Sequence, residues 1–402
     1  MTLRLAIAGC GVMGRRHVLG LGRLRAVDRL PFTLAAAIDP APESAAALAA
    51  TAAEQLGDHP ATFSSLTAAL TATELDAIDI VTAPHLHPAV AQEAFAHGLH
   101  VLVEKPIALT VHGGRAMLAA AEAAGRVLAV AENYRLDPTN RLAKALLDAG
   151  AIGAPYLIEQ RLSGWGERVI ITPWRHQRAN GGIGVDMGVH YADMLEYLLG
   201  PLHSLCGMGR VVDVARQSAD GSRVPADAED LIVGAARFAD GALASWTLNL
   251  AGRSDTEFAR VIHGSRGTLA IPNDRTGAPL RLTLREHGTL REISPPEQLA
   301  LVPEFSLDPV TSALFGGERL ASYDLPWAET DANLLAIELA DFAQAITAGQ
   351  PPETDGAQGL RSLAIAYGFL EADRLGRTVM IDELLAGTAT PYQDEIVAGG
   401  SA

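Results

Sequence analysis

Cysteine is scarce here: two in 402 residues, Cys10 and Cys206, far apart and one of them inside a glycine-rich loop. Such a pair builds neither a disulfide framework nor a thiolate metal cluster, and it suits a reducing cytoplasm. Histidine offers no metal site either. His85 and His87 stand two apart on a loop and His176 stands alone, without a carboxylate cluster at ligand spacing, so no metal is expected. No apolar run approaches the roughly 18 residues of a membrane span. Basic residues are outnumbered, 31 Lys+Arg against 47 Asp+Glu, and the formal net charge of -16 argues against nucleic acid and anionic membrane surfaces as partners. No targeting segment is read. Arg15-Arg16 follow the apolar Leu5-Ala6-Ile7-Ala8 instead of preceding it, and the expected location is the cytoplasm. What remains is ample: 49% hydrophobic residues and a length beyond one ordinary core, which predict two domains.

The chain is organised around His100 to Thr110, HVLVEKPIALT. Val101-Leu102-Val103 reads as a buried parallel strand. It stops at Glu104-Lys105-Pro106, because proline cannot donate to the ladder and forces a turn. Lys105 is thereby delivered at the carboxyl end of a strand, the edge where open α/β sheets bind ligands. The plainer alternative is a loop lysine paired with the glutamate beside it.

Upstream, Leu3 to Ala8 reads as a strand and residues to about Ala26 as a helix. Between them lies Gly9-Cys10-Gly11-Val12-Met13-Gly14. This is G-x-G-x-x-G in the strand-before, helix-after context that a dinucleotide site needs. The first glycine permits the tight turn, the second lets a pyrophosphate approach the backbone, and the third lets helix and strand pack closely. The helix N-terminus offers N–H groups and partial positive charge to the phosphates. A second strand, Phe32 to Ile38, ends in Asp39, close to the place about 20 residues on where a ribose-binding acid is expected.

Further units alternate as a doubly wound sheet does. The strand Ala77 to Val81 ends in Thr82-Ala83-Pro84-His85-Leu86-His87, which faces the crevice, and the strand Val127 to Val130 closes the series. After Asn133-Tyr134-Arg135 and one more helix the pattern changes. Strand-like segments follow one another from Tyr156 to Leu162 and from Leu231 to Ile271, with a hairpin signal at Asp240-Gly241. Strands after strands indicate an antiparallel sheet. The expected division is a doubly wound Rossmann domain over 1–131, an α+β domain over 132–380, and a frayed, flexible tail over 381–402.

A second informative stretch is Trp174-Arg175 followed by Gly181-Gly182-Ile183-Gly184-Val185-Asp186-Met187-Gly188-Val189-His190. Helical spacing from about Gly184 puts Asp186 and His190 at i and i+4, on one face near the helix start. Taken alone, the pair also fits a capping aspartate and a core histidine.

Together the two stretches resemble the glucose–fructose oxidoreductase/inositol dehydrogenase/MocA family, from Leu5 to about Arg377. Glu104-Lys105-Pro106 and the glycine cluster leading to Asp186 and His190 carry the resemblance. Thr82, Pro84 and His87 match the family's crevice loop, Asn133-Tyr134-Arg135 its domain-crossing segment, and Trp174-Arg175 its tryptophan–arginine pair. Glu229-Asp230 and Glu338 to Phe342 are similar as well. Gly184 departs from the pattern, standing where the family usually has a bulky apolar residue; a later helix start and a roomier pocket are expected there.

The resemblance implies an α/β fold: a Rossmann domain plus an α+β domain with a large open, mainly antiparallel sheet that assembles as a homodimer or homotetramer. It implies NAD as cofactor, held by Gly9, Gly11, Val12, Met13, Gly14, Asp39, Thr82, Pro84, His87, Glu104, Lys105 and Asn133. It implies Lys105, Asp186 and His190 as the catalytic set, with Tyr134, Arg135, Trp174 and Arg175 joining them around a sugar, cyclitol or related polyol. The physics suits those roles. An imidazole can take a hydroxyl proton near neutral pH, and a lysine beside the same oxygen stabilises developing alkoxide charge. Three other activities stay open: glycoside cleavage or elimination through transient sugar oxidation, oxidation of aromatic cis-dihydrodiols, and a non-catalytic sugar- or dinucleotide-binding regulator. Loss of substrate without net NADH would mark the first of these.

Overall fold

Leu5, Ala6 and Ile7 are all fully buried, as a strand covered on both faces requires. The computed structural model describes residues 2–399 and places this strand, β1 (Leu3–Ala8), inside a six-stranded parallel sheet. Its partners are β2 (Phe32–Ile38), β3 (Ala61–Phe63), β4 (Ala77–Ile80), β5 (His100–Glu104) and β6 (Leu128–Ala131). The order is β3-β2-β1-β4-β5-β6, so the strand order reverses between β1 and β4. That reversal opens the crevice in which doubly wound sheets bind ligands. Five helices connect the strands: α1 (Val12–Ala26), α2 (Pro42–Leu56), α3 (Leu66–Ala72), α4 (His87–Ala96) and α5 (Val111–Ala124). Thr110 caps α5 by accepting the Gly113 N–H, and Gly125 ends it in the left-handed conformation.

The chain divides into two compact units, and the boundary differs from the expected one. The first contains Met1–Leu136, Leu307–Glu318 and Leu325–Leu360; the second contains Asp137–Ser306, Arg319–Asp324 and Arg361–Ala402. The helix Trp327–Ala348, expected in the second domain, packs on α1 in the first. Gly20 makes room for it, since a Cβ there would lie 3.0 Å from Leu335. Arg16 Nε donates to Asp331 Oδ2 at 2.9 Å and Arg23 Nε to Asn333 Oδ1 at 2.7 Å.

The second unit is built on a nine-stranded sheet. Its strands are β7 (Pro155–Trp165), β8 (Leu202–Arg210), β11 (Leu231–Phe238), β12 (Leu243–Gly252), β13 (Glu257–Gly264), β14 (Gly267–Ile271), β15 (Arg281–Glu286), β16 (Thr289–Ile293) and β17 (Val379–Met380). The short pair β9 (Ala215–Gln217) and β10 (Arg223–Pro225) stands apart. The order is β16-β15-β14-β13-β7-β12-β11-β8-β17, antiparallel except for the parallel pair β7–β12. Helix α6 (Pro138–Asp148) precedes the sheet, and α7 (Ile183–Leu199) packs on it, with Gly188 close to Trp246.

The expected frayed tail is a correction. Residues Ile381–Ala386 and Pro391–Gly399 are helices, and Tyr392 and Ile396 are buried. The Tyr392 N–H donates to Glu371 Oε2 at 2.7 Å, its hydroxyl donates to Glu229, and Arg374 Nε holds Glu395 at 2.9 Å. Gly387 is a helix stop and Pro391 a helix start. The last three residues of that predicted tail, 400–402, lie outside the described residues. No described helix is long and apolar enough to cross a membrane.

Candidate active site

At the start of the crevice the three glycines do different work. Gly9 has φ +98°, and a Cβ there would lie 2.5 Å from the Val81 carbonyl oxygen. A Cβ on Gly14 would lie 2.2 Å from the Gly9 carbonyl oxygen. Both positions are closed to any side chain. Gly11 is different: it is exposed, and a Cβ would meet nothing within 4 Å. It is also the N-cap of α1, which carries no side-chain cap, and Val12 and Met13 open the helix. Asp39 at the end of β2 turns toward this loop. Its Oδ2 accepts the Cys10 N–H at 2.8 Å and its Oδ1 the Ala41 N–H at 2.9 Å.

The neighbouring loop is fixed by a histidine expected to contact cofactor. His87 is fully buried, with Nε2 3.0 Å from the Thr82 carbonyl oxygen and Nδ1 3.1 Å from that of Pro106. It braces the Thr82 loop against the Lys105–Pro106 turn, whose peptide bond is cis, and presents no surface to a ligand. Pro84 is buried too, while Thr82 Oγ1 has no hydrogen-bond partner among the described residues. An open approach to Gly11, an uncapped helix start and an orphaned hydroxyl on the next loop fit a dinucleotide.

Lys105 follows β5, half-buried, and its backbone N–H donates to Glu104 Oε2 at 3.0 Å. Glu104 Oε1 lies 3.1 Å from Nε2 of His17, a buried residue of α1 that the sequence reading passed over. Asn133, expected at the cofactor, donates from Nδ2 to Glu338 Oε2 at 3.2 Å. Arg135, expected at the substrate, is buried, and its Nη1 donates to the Glu353 carbonyl oxygen at 3.1 Å and to Gln358 Oε1 at 3.3 Å. That ties the segment after β6 to the turn at 353–358. Tyr134 beside it is half-buried. Glu132 was also missed. Burial pushes its carboxyl up to about 7, although the charges of Lys105 and Arg135 pull it down. A carboxylate directly after a buried strand was the available signal.

In the second unit Gly181 and Gly182 have φ of +94° and +80° and lead into α7. Asp186 and His190 lie on α7 one turn apart, 6% and 7% exposed. Arg175 Nε is 3.3 Å from Asp186 Oδ2, its Nη1 donates to Thr172 Oγ1 at 2.7 Å, and its Cζ lies 4.4 Å from the Trp174 ring centre. The loop carrying this pair is anchored by His176, whose Nε2 accepts the Ile170 N–H at 2.9 Å. Burial, with Arg216 nearby, lowers the His176 pKa to about 4 and keeps the ring a neutral acceptor. The expected late helix start is not found: α7 begins at Ile183. A Cβ on Gly184 would lie 2.8 Å from the Glu229 carbonyl oxygen and 2.8 Å from Ile232 Cδ1, so this glycine lets the helix press against β11. No group of histidine, cysteine or carboxylate side chains among the described residues is arranged to hold a metal.

Residues 3–132 match the model of an oxidoreductase family with an NAD-binding Rossmann fold, and residues 140–270 that of the GFO/IDH/MocA C-terminal domain. Levoglucosan dehydrogenase of Pseudarthrobacter phenanthrenivorans is 29% identical over 297 residues, covering 68% of this chain and 74% of that protein. D-apiose dehydrogenase of Paraburkholderia graminis is 27% identical over 394 residues, covering 95% and 90%. The fold is shared with a solved levoglucosan dehydrogenase in complex with NADH, at a TM-score of 0.76 and 24% identity over 95% of this chain and 99% of that one. The chain thus belongs to the glucose–fructose oxidoreductase/inositol dehydrogenase/MocA family and is an NAD-dependent oxidoreductase acting on CH–OH groups.

Proposed function

We propose that this enzyme moves a hydride between the nicotinamide of NAD and a secondary alcohol of a sugar, cyclitol or related polyol. The observation that carries the reading is Asp186 and His190 one turn apart on α7, with Arg175 drawn onto the aspartate. When bound, NAD supplies the redox chemistry, and the protein supplies binding, orientation and proton handling. His190 takes the hydroxyl proton. Lys105 hydrogen-bonds the same oxygen and stabilises its developing charge. Asp186 orients the neighbouring hydroxyls, and Trp174 and Arg175 line the site beside it. The named relatives act on levoglucosan, D-apiose and 1,5-anhydro-D-fructose, which supports a sugar-like substrate. NAD is preferred over NADP because of the Asp39 carboxylate. Exposed Tyr156, Met208 and Leu243 on the nine-stranded sheet support a homodimer or homotetramer built through it, and the cysteine usage supports a cytoplasmic site.

The test offers purified protein and NAD a panel of cyclitols, aldoses, sugar acids and glycosides, following NADH absorbance and substrate loss together. Equal amounts of each are expected. In the best substrate, His190→Asn should lower the rate about 10²- to 10⁴-fold with cofactor affinity unchanged. Substrate loss without NADH, or a variant as fast as the wild type, would remove the reading.

A further inference from the structure

His17 is fully buried in the second turn of α1 and has a carboxylate on each ring nitrogen. Nδ1 lies 2.7 Å from Asp79 Oδ2 on β4, and Nε2 lies 3.1 Å from Glu104 Oε1 at the end of β5. Glu338 Oε1 stands 3.9 Å from the same Nε2. A neutral imidazole has one N–H and would turn a lone pair toward one of the carboxylates; the imidazolium donates to both. Burial works against that charge, but Asp79, Glu104 and Glu338 outweigh it and push the ring's pKa well above its usual value. Glu338 goes the opposite way. Burial raises its carboxyl well above the usual range, with Glu104 and Asp79 adding to the rise, although the charge of His17 pulls it down. The cluster sets one imidazole among the carboxyl groups of Asp79, Glu104 and Glu338, with Lys105 and Glu132 beside Glu104.

Glu104 is the link out of this cluster. One oxygen faces His17 Nε2 and the other accepts the Lys105 backbone N–H. We propose that His17 is a positioning residue for Lys105, its imidazolium holding Glu104 as a carboxylate clamped to the turn that carries the lysine. With no exposed surface, His17 reaches neither substrate nor cofactor. The proposal rests on Lys105 taking part in the reaction.

Removing the imidazole takes away the donor held between Asp79 and Glu104, which favours a proton on that pair. In His17→Gln a proton taken up by this pair weakens the hold of Glu104 on the turn. While the pair holds that proton the clamp is slack; as pH rises and the proton leaves, the clamp is partly restored. Near pH 7 kcat should fall about 10- to 100-fold, the scale of a small misplacement of a reacting group, while KM for NAD changes less than about twofold. The ratio of variant to wild-type kcat should climb as pH rises toward 9. On a Lys105→Met background the same substitution should lose less than about twofold more, because both changes act on one group. Should His17→Gln not fold, Glu104→Gln takes its place and should show the kcat loss at every pH. A folded His17→Gln or Glu104→Gln enzyme with wild-type kcat would overturn the proposal. So would a His17→Gln loss of one constant factor at all pH values, or an undiminished loss on the Lys105→Met background. A fully active Lys105→Met enzyme is a separate result: it overturns the role of Lys105 itself, and the positioning proposal with it.

Discussion

Arg175 Nε and Asp186 Oδ2 stand 3.3 Å apart, both side chains largely withdrawn from solvent, and the guanidinium lies over the Trp174 ring. The arginine therefore does two things at once. It holds a carboxylate on α7, and through the stacked tryptophan it keeps the loop before α7 in contact with that carboxylate.

Lysine cannot do both, because its compact ammonium neither stacks on the ring nor offers a planar fork. Arg175→Lys should lower kcat/KM for the polyol by about tenfold or more, with most of the change in KM and with NAD affinity unaltered. Steady-state kinetics with each substrate varied in turn checks this. An unchanged polyol KM would place Arg175 outside the site.

The glycine loop separates folding from binding. Gly9→Ala puts a Cβ 2.5 Å from the Val81 carbonyl oxygen at a φ of +98°, which should destabilise the protein by about 1–3 kcal/mol or more. Gly11→Ala has no neighbour to strike, so it should melt like the wild type. Its methyl instead occupies the approach that a pyrophosphate needs, and NAD binding should weaken about tenfold or more. Thermal melts and titration calorimetry distinguish the two. Equal NAD affinity in Gly11→Ala would remove that glycine from the binding surface.

These contrasts show where sequence was enough. β5 is legible because Val101-Leu102-Val103 is an unbroken apolar run, and the lysine and proline at its carboxyl end stand out against it; β4 keeps its strand pattern although Asp79 interrupts it. α7 is legible because Asp186 and His190 interrupt an apolar helix at i and i+4. His17 was not, since helical spacing says that a side chain points inward but not that β4 and β5 bring carboxylates to meet it. Arg135 is a related case: a buried arginine that donates to a backbone carbonyl and an amide oxygen has the same local sequence as one held only by a ligand. The helix Trp327–Ala348 carries no local sign that it packs on α1, some three hundred residues away. The hairpin of β15 and β16 was overlooked because its strands carry the exposed charges of a sheet edge, which mask the alternation.

Asp39 already accepts N–H groups from Cys10 and Ala41, so it shapes the loop as well as reading the ribose. A phosphate on that ribose would face a fixed carboxylate. A unit charge pair about 4 Å apart is worth roughly 4 kcal/mol at an effective dielectric of about 20. NADP should accordingly bind up to about a thousandfold more weakly than NAD. Pro40-Ala41-Pro42-Glu43 offers no cation to relieve this. Asp39→Ser should shrink the preference, mainly by weakening NAD, with some loss of stability from the vacated loop contacts. Comparable kcat/KM for the two cofactors in the wild type would refute the charge argument.

Glu132 should make the protein's stability fall as pH rises through the neutral range. Its carboxyl is raised from 4.5 to about 7, chiefly by burial. Below about pH 4.5 the group is protonated whether the chain is folded or not, and it contributes no slope. Between 4.5 and 7 the unfolded chain releases this proton while the folded chain keeps it, so folding stability declines with pH, by about 3 kcal/mol across the window. Above 7 the difference stays level. Glu132→Gln is neutral throughout and lacks this decline, so the variant's stability relative to wild type should improve from pH 5 to pH 7 and then hold steady at pH 8. Urea unfolding at those three values gives the comparison. Lys105→Met supplies a second reading. Because the lysine's charge pulls the carboxyl down, its removal should carry the decline past pH 7. If the two proteins differ by the same amount at pH 5 and pH 8, Glu132 titrates as an ordinary solvated carboxyl and has no part in the buried charge balance around Lys105.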